Sequence, residues 1–146
     1  MIRFWDTSAL VKVYSSSEAG HRRAVGLLHT RRPRLAHATS MIVAVELVTA
    51  LVRRTRDRTL AEAALAQLDG MSQVEFGVEH RDPALRLGLQ GLTRGADTAI
   101  AAQALVLARA ATERIEFVTA DAAQARLVER EASARSLDLA VVRLPV

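Results

Sequence analysis

Short apolar runs alternating with helical segments are the feature that most limits what this chain can fold into. Ile2–Trp5, Leu35–Ala38, Val74–Val78, Ile115–Thr119 and Leu139–Val142 read as short strands, the first of them buried. Between them lie segments with helical spacing of apolar residues. These are Thr7–Tyr14, Ala19–Thr30, Ser40 to about Arg56, Thr59–Met71, Pro83–Leu92, the tract from Gly95 to about Ala111, and Ala122–Ala134. Strands separated by helices cannot close into hairpins, so the pattern predicts an α/β domain with a mostly parallel sheet. At 146 residues the chain is one domain long, enough to bury roughly 68–70% of its unfolded surface. No repeat, linker or low-complexity stretch divides residues 1–146.

Composition removes several kinds of chemistry. The chain has no cysteine, which excludes thiolate zinc sites, Fe–S clusters and cysteine nucleophiles. His21, His29, His37 and His80 have no zinc spacing. The aromatic content of 3% is too low for a base-stacking platform. A charge at Asp6 leaves no visible signal peptide. The tract Ala96–Ala111 carries Asp97, Thr98, Gln103 and Arg109, so it reads as a buried helix rather than a membrane span. A soluble, cytoplasmic protein without a membrane partner is expected. No Gly-rich phosphate loop is present, which disfavours an NTPase.

Of the 20 basic residues all but Lys12 are arginine, against 16 acidic ones. Arginine suits bidentate phosphate contacts, although base composition of the gene also gives Arg- and Ala-rich chains. Arg31-Arg32-Pro33-Arg34 and the run Arg53 to Arg58 are clusters of this kind. Each reads either as a solvated face or as a phosphate contact. The second continues the helix that carries Glu46.

Four carboxylates need explaining. Asp6 follows the first strand directly, where ligands bind in parallel α/β sheets, and it can equally cap the next helix. Asp121 repeats that placement after Ile115–Thr119, with Gln124 spaced to complete a capping box. Glu46 sits mid-helix between Ile42, Val43, Thr49 and Ala50, with no basic residue within a turn. A carboxylate there needs a metal, a distant arginine or exposure. Asp97 opens the most apolar helix, where an acid is favourable, with Arg94 one turn before it. If the helices pack near the carboxyl ends of the strands, the four acids converge. They then call for a hard divalent cation, Mg2+ or Mn2+.

These residues resemble those of PIN-domain ribonucleases, and within them the VapC-type toxins of toxin–antitoxin pairs. The resemblance runs through Asp6-Thr7-Ser8-Ala9-Leu10-Val11-Lys12-Val13-Tyr14 with Glu18, Val45-Glu46-Leu47, Gly95-Ala96-Asp97-Thr98-Ala99-Ile100 and Phe117-Val118-Thr119-Ala120-Asp121. Four short motifs in order span nearly the whole chain. The resemblance implies a three-layer α/β/α sandwich and an endoribonuclease dependent on Mg2+ or Mn2+, in which metal-activated water hydrolyses RNA phosphodiesters. It also implies a homodimer and a cognate antitoxin partner. Asp6, Glu46, Asp97 and Asp121 carry over as the catalytic, metal-holding acids, with Ser8 and Thr119 supporting them. Arg53, Arg54 and Arg94 are the candidate RNA contacts. Ala101 and Ala102 stand where many members have His or an aromatic, and Ala122 and Ala123 where many have a further acid. That departure implies one firmly held ion, with the second arriving with substrate. Two other readings remain: a non-catalytic module binding RNA or antitoxin, and a phosphatase with Asp6 as nucleophile. The latter lacks an acid at Ser8 and has no lysine beyond Lys12.

Overall fold

The computed structural model describes every residue from Met1 to Val146. Five strands, β1 (Ile2–Trp5), β2 (Ala36–Ser40), β3 (Ser72–Val74), β4 (Ile115–Thr119) and β5 (Leu139–Arg143), form one sheet in the order β3-β2-β1-β4-β5. Every pairing is parallel, with Phe4 opposite both Ala38 and Phe117. Seven helices connect them: α1 (Thr7–Tyr14), α2 (His21–Leu28), α3 (Met41–Thr55), α4 (Arg58–Leu68), α5 (Val78–Gly88), α6 (Gly95–Ala110) and α7 (Ala122–Ala134).

The chain builds outward from β1 to β2 and β3, then crosses back to lay β4 on the other side of β1. Right-handed crossovers put α1–α4 on one face and α5–α7 on the other. The contacts α1–α2, α1–α3 and α3–α4 agree with the first layer, and α5–α6 and α6–α7 with the second. The result is the three-layer α/β/α sandwich. Covering both faces explains why β1 and β4 are almost wholly buried, their one charged residue each, Arg3 and Glu116, being paired to the other. Phe4, Trp5, Ile115 and Phe117 are fully buried. The Phe4 and Phe117 rings stack with centroids 6.1 Å apart, and burying each contributes roughly 1.5–3 kcal/mol. Arg3, buried beside them, donates from Nε and Nη2 to Glu116 on the paired strand and from Nη1 to the Leu27 carbonyl.

Several element boundaries differ from the sequence expectation, each for a local reason. The strand expected at Val74–Val78 lies at Ser72–Val74, because β3 pairs with β2 only over Ala38–Ser40. Val78 instead opens α5, since the His80 Nδ1 accepts from the Gly77 N–H at 3.0 Å and starts the helix there. Pro83 therefore lies inside α5 rather than in its first turn, and it offers no N–H to the Glu79 carbonyl. β2 runs to Ser40, which both ends the strand and caps α3 by accepting from the Ile42 N–H. α2 begins only at His21, because Gly20 adopts φ +85°, and a Cβ there would meet Pro145 at 3.0 Å. No helix is long and apolar enough to cross a membrane.

Candidate active site

The sheet order reverses between β1 and β4, and a crevice opens beyond the carboxyl ends of strands at such a point. Asp6 directly follows β1, and Asp121 lies two residues past β4. α3 touches α6, and these helices bring Glu46 and Asp97 to the same end. A cleft of about 1230 Å³ is lined there by Thr7, Ser8, Glu46, Asp97 and Asp121, with Arg53, Arg54 and Arg94 on its walls. Asp6 does not line the cleft itself; it is only 1% exposed and is bonded to Ser8, which does.

Asp6 caps α1 and is the most heavily bonded of the four acids. Its Oδ2 accepts from the Ser8 N–H at 3.1 Å and the Ser8 hydroxyl at 2.5 Å, and lies 3.1 Å from the Thr119 hydroxyl. Its Oδ1 accepts from Gln124 Nε2 at 3.2 Å. Burial pushes the Asp6 carboxyl up from its ordinary range, and the hydrogen bonds donated by Ser8 and Gln124 pull it back. Ser8 and Thr119 are themselves pinned by the backbone after β4: the Ala120 N–H donates to the Ser8 Oγ and the Asp121 N–H to the Thr119 Oγ1.

Asp121 caps α7 by accepting from the Ala123 and Gln124 N–H groups at 2.7 and 2.8 Å. The expected capping box does not form, because the Gln124 side chain turns inward. Its Nε2 donates to Asp6 Oδ1 and, at 3.1 Å, to the Asp97 carbonyl. Both partners are acceptors only, which fixes the amide orientation. Gln124 Oε1 therefore accepts from the Thr119 hydroxyl at 2.9 Å.

Glu46 resolves the question its helix posed with a partner the sequence did not suggest. Its Oε2 accepts from the Thr7 hydroxyl at 2.5 Å, and the residue is half-buried. Arg54, one helix turn beyond Ala50, bonds to Glu18 instead, as does the buried Lys12. Asp97 is half-buried in the first turn of α6. Burial, then the charges of Asp6, Glu46 and Asp121, push its carboxyl up from 3.8 to about 6, with Arg94 opposing. Arg94 stays beyond ion-pair distance, and none of the four acids is in an ion pair.

The donor set is therefore hard oxygen throughout, of one sign and unneutralised, which suits a divalent cation such as Mg2+ or Mn2+. No three of the acids are grouped closely enough to ligate an ion as the side chains stand. Glu46, Asp97 and Asp121 are half-exposed at the cleft, whereas Asp6 is buried. Sequence reasoning missed Gln124, Thr7 and the Lys12–Glu18–Arg54 chain. Only Gln124 left a signal, a lone polar residue on the apolar face Ala125, Leu127, Val128 and Ala132 of α7. The other basic cluster, Arg31 to Arg34, lies beyond the amino ends of the strands, where the Arg34 carbonyl accepts from the Met1 amine.

The family model for the PIN domain matches residues 3–130. This chain belongs to the PIN-domain family. No curated protein matches it. Among solved structures, the PIN domain is similar to VapC20 of Mycobacterium tuberculosis, a sarcin–ricin loop cleaving toxin. That match has 21% identity and a TM-score of 0.68, covering 92% of this chain and 95% of the other. It is similar to VapBC-1 of nontypeable Haemophilus influenzae, with 15% identity, a TM-score of 0.68 and 98% of each chain covered. VapBC2 of Rickettsia felis, bound to a DNA fragment from its promoter, matches with 20% identity and a TM-score of 0.60 over 99% of each chain. At these identities the shared property is the fold.

Proposed function

We propose that this PIN domain is an endoribonuclease dependent on Mg2+ or Mn2+, and the toxin of a VapBC-type toxin–antitoxin pair acting in the cytoplasm. The observation that carries the reading is the convergence of Glu46, Asp97 and Asp121 at one cleft, with Asp6 buried close enough to act on Asp97 and no cationic side chain in an ion pair with any of the four. Asp6, Glu46, Asp97 and Asp121 would hold the cation. A bound divalent ion supplies Lewis acidity for water attack on phosphorus and for departure of the leaving oxygen. Ser8 and Thr119 hold the Asp6 carboxylate at a fixed angle next to the cleft. Arg53, Arg54 and Arg94 bind the flanking phosphates and orient the scissile linkage over the acids. The acidic floor and arginine walls suit a polyanion that must approach its own kind of charge. The fold likeness to a toxin that cleaves the sarcin–ricin loop supports RNA as the substrate class.

The likeness to toxin–antitoxin structures supports an antitoxin partner. Exposed apolar residues support a homodimer: Val78, Leu85 and Leu89 recur along one side of α5 and its end, and Met41, Val45 and Val52 along α3. The test is RNA cleavage by the purified chain with Mg2+ or Mn2+, and with the ion removed by EDTA. Cleavage that is lost with EDTA and restored by either ion supports the proposal. Cleavage indifferent to EDTA, or none with either ion, overturns it.

A further inference from the structure

Gln124 is fully buried, yet an apolar side chain of the same volume would fill its place on α7. Its amide is instead saturated. Nε2 donates to Asp6 Oδ1 after β1 and to the backbone carbonyl of Asp97 in the first turn of α6, and Oε1 accepts from Thr119 at the end of β4. The Gln124 backbone N–H is in turn held by Asp121. One side chain thus joins the segments bearing three of the four acids, and it touches Asp97 through the main chain, so that rotation of the Asp97 side chain leaves the bond in place. The fourth acid, Glu46, is tied in through Thr7, the residue next to Asp6.

We propose that Gln124 is a positioning residue for the metal-holding acids, fixing the first turn of α6 against Asp6 so that Asp97 and Asp6 present their oxygens to one cation. The inference rests on the metal-dependent reading of the cleft. A donor that orients a metal-ligating carboxylate is typically worth about 10–100-fold in metal affinity. Removing the amide while keeping the volume, as in Gln124→Met, withdraws both Nε2 bonds and leaves packing intact.

The experiment titrates Mn2+ into the full chain, wild type and Gln124→Met, and follows free Mn2+ by electron paramagnetic resonance. Thermal melts of the metal-free proteins are recorded beside it. Mn2+ affinity is expected to fall by about 10–100-fold in the variant. Hydrogen-exchange protection of the Thr98 amide, bonded to the Arg94 carbonyl, is expected to fall in the metal-free variant. Where RNA is cleaved, kcat falls while KM holds, since the arginine walls are untouched. A variant with lowered Tm but wild-type Mn2+ affinity is impaired in packing only, and overturns the proposal. Should Gln124→Met fail to fold, the wild type carries the test. Its Gln124 side-chain amide protons should exchange slowly with solvent and shift on Mg2+ titration, and rapid exchange without a shift overturns the proposal. A wild type that binds neither ion overturns the nuclease reading and this inference together. A wild type that binds Mn2+ but cleaves no RNA overturns the former alone.

Discussion

Replacing Asp97 by Asn should stabilise the metal-free protein at neutral pH. Asp97 is held in the first turn of α6 with a carboxyl pushed from 3.8 to about 6 by burial and by Asp6, Glu46 and Asp121. Taken in full, that gap corresponds to about 3 kcal/mol of differential interaction at 1.36 kcal/mol for each tenfold step. The group is only half-buried, and solvent screening brings the figure to about 1–2 kcal/mol. Losing a negative charge near a helix N-terminus returns about 0.3–1 kcal/mol of this. A net gain of about 1 kcal/mol remains, or a rise of roughly 2–4 °C in Tm for a chain near this size.

The sign follows from where the proton is held. The native state binds it more tightly than the unfolded state, so the charged form costs native stability once pH passes through 3.8 and fully above 6. The gain from Asp97→Asn is therefore complete at pH 7.5 and fades as pH falls through 6 toward 4. Differential scanning calorimetry with EDTA, at pH 7.5 and at pH 4.5, reads both. Asp97→Asn melting at or below the wild type at pH 7.5 would refute the reasoning. So would an equal gain at both pH values, because repulsion is then not its source. With Mn2+ present the order should invert, since the wild type, with all four acids, gains more from the ion than the variant does.

Saturating Mg2+ or Mn2+ should raise the wild-type Tm in a thermal melt: at about a hundred times Kd the ion contributes about 2.7 kcal/mol, and no shift at millimolar metal would count against the site. Asp6→Asn should abolish RNA cleavage in a gel assay while circular dichroism shows the fold retained; an active, metal-dependent variant would remove Asp6 from the mechanism. The double change Arg53→Ala, Arg54→Ala should raise KM for RNA far more than it lowers kcat. It should also flatten the dependence of log binding constant on log salt by roughly 0.7 for each phosphate of a single strand that is no longer neutralised.

The fold was legible because its main signal is repetitive. Short strand-like runs and helices of ordinary length give the α/β alternation without help from tertiary contacts. The boundaries that moved are those set by contacts between distant residues or by side chains acting as caps. β3 is short because β2 offers it few partners. α5 starts early because the His80 imidazole reaches back to Gly77, and no periodicity announces that.

The candidate site was legible in the same uneven way. Asp6 and Asp121 stand beside strand ends in the sequence itself, so their placement at one end of the sheet follows from parallel topology alone. Glu46 and Asp97 could be singled out only as acids out of place on apolar helices. Their meeting depends on α3 and α6 packing against each other, which local sequence does not encode. Gln124 was hidden for a further reason. At three residues past Asp121 it satisfies a complete local explanation, the capping box. Half of that motif does form, since Asp121 caps the Gln124 N–H. The other half is outcompeted. At a solvated helix end the glutamine amide would bond a backbone N–H and water. Here α7 buries it against a carboxylate and a carbonyl that both lack donors, and leaving those acceptors unmet costs more than leaving a capping box incomplete. A polar residue that fits a local motif and yet lies on the buried face of its helix is thus the place where the local reading should be doubted first.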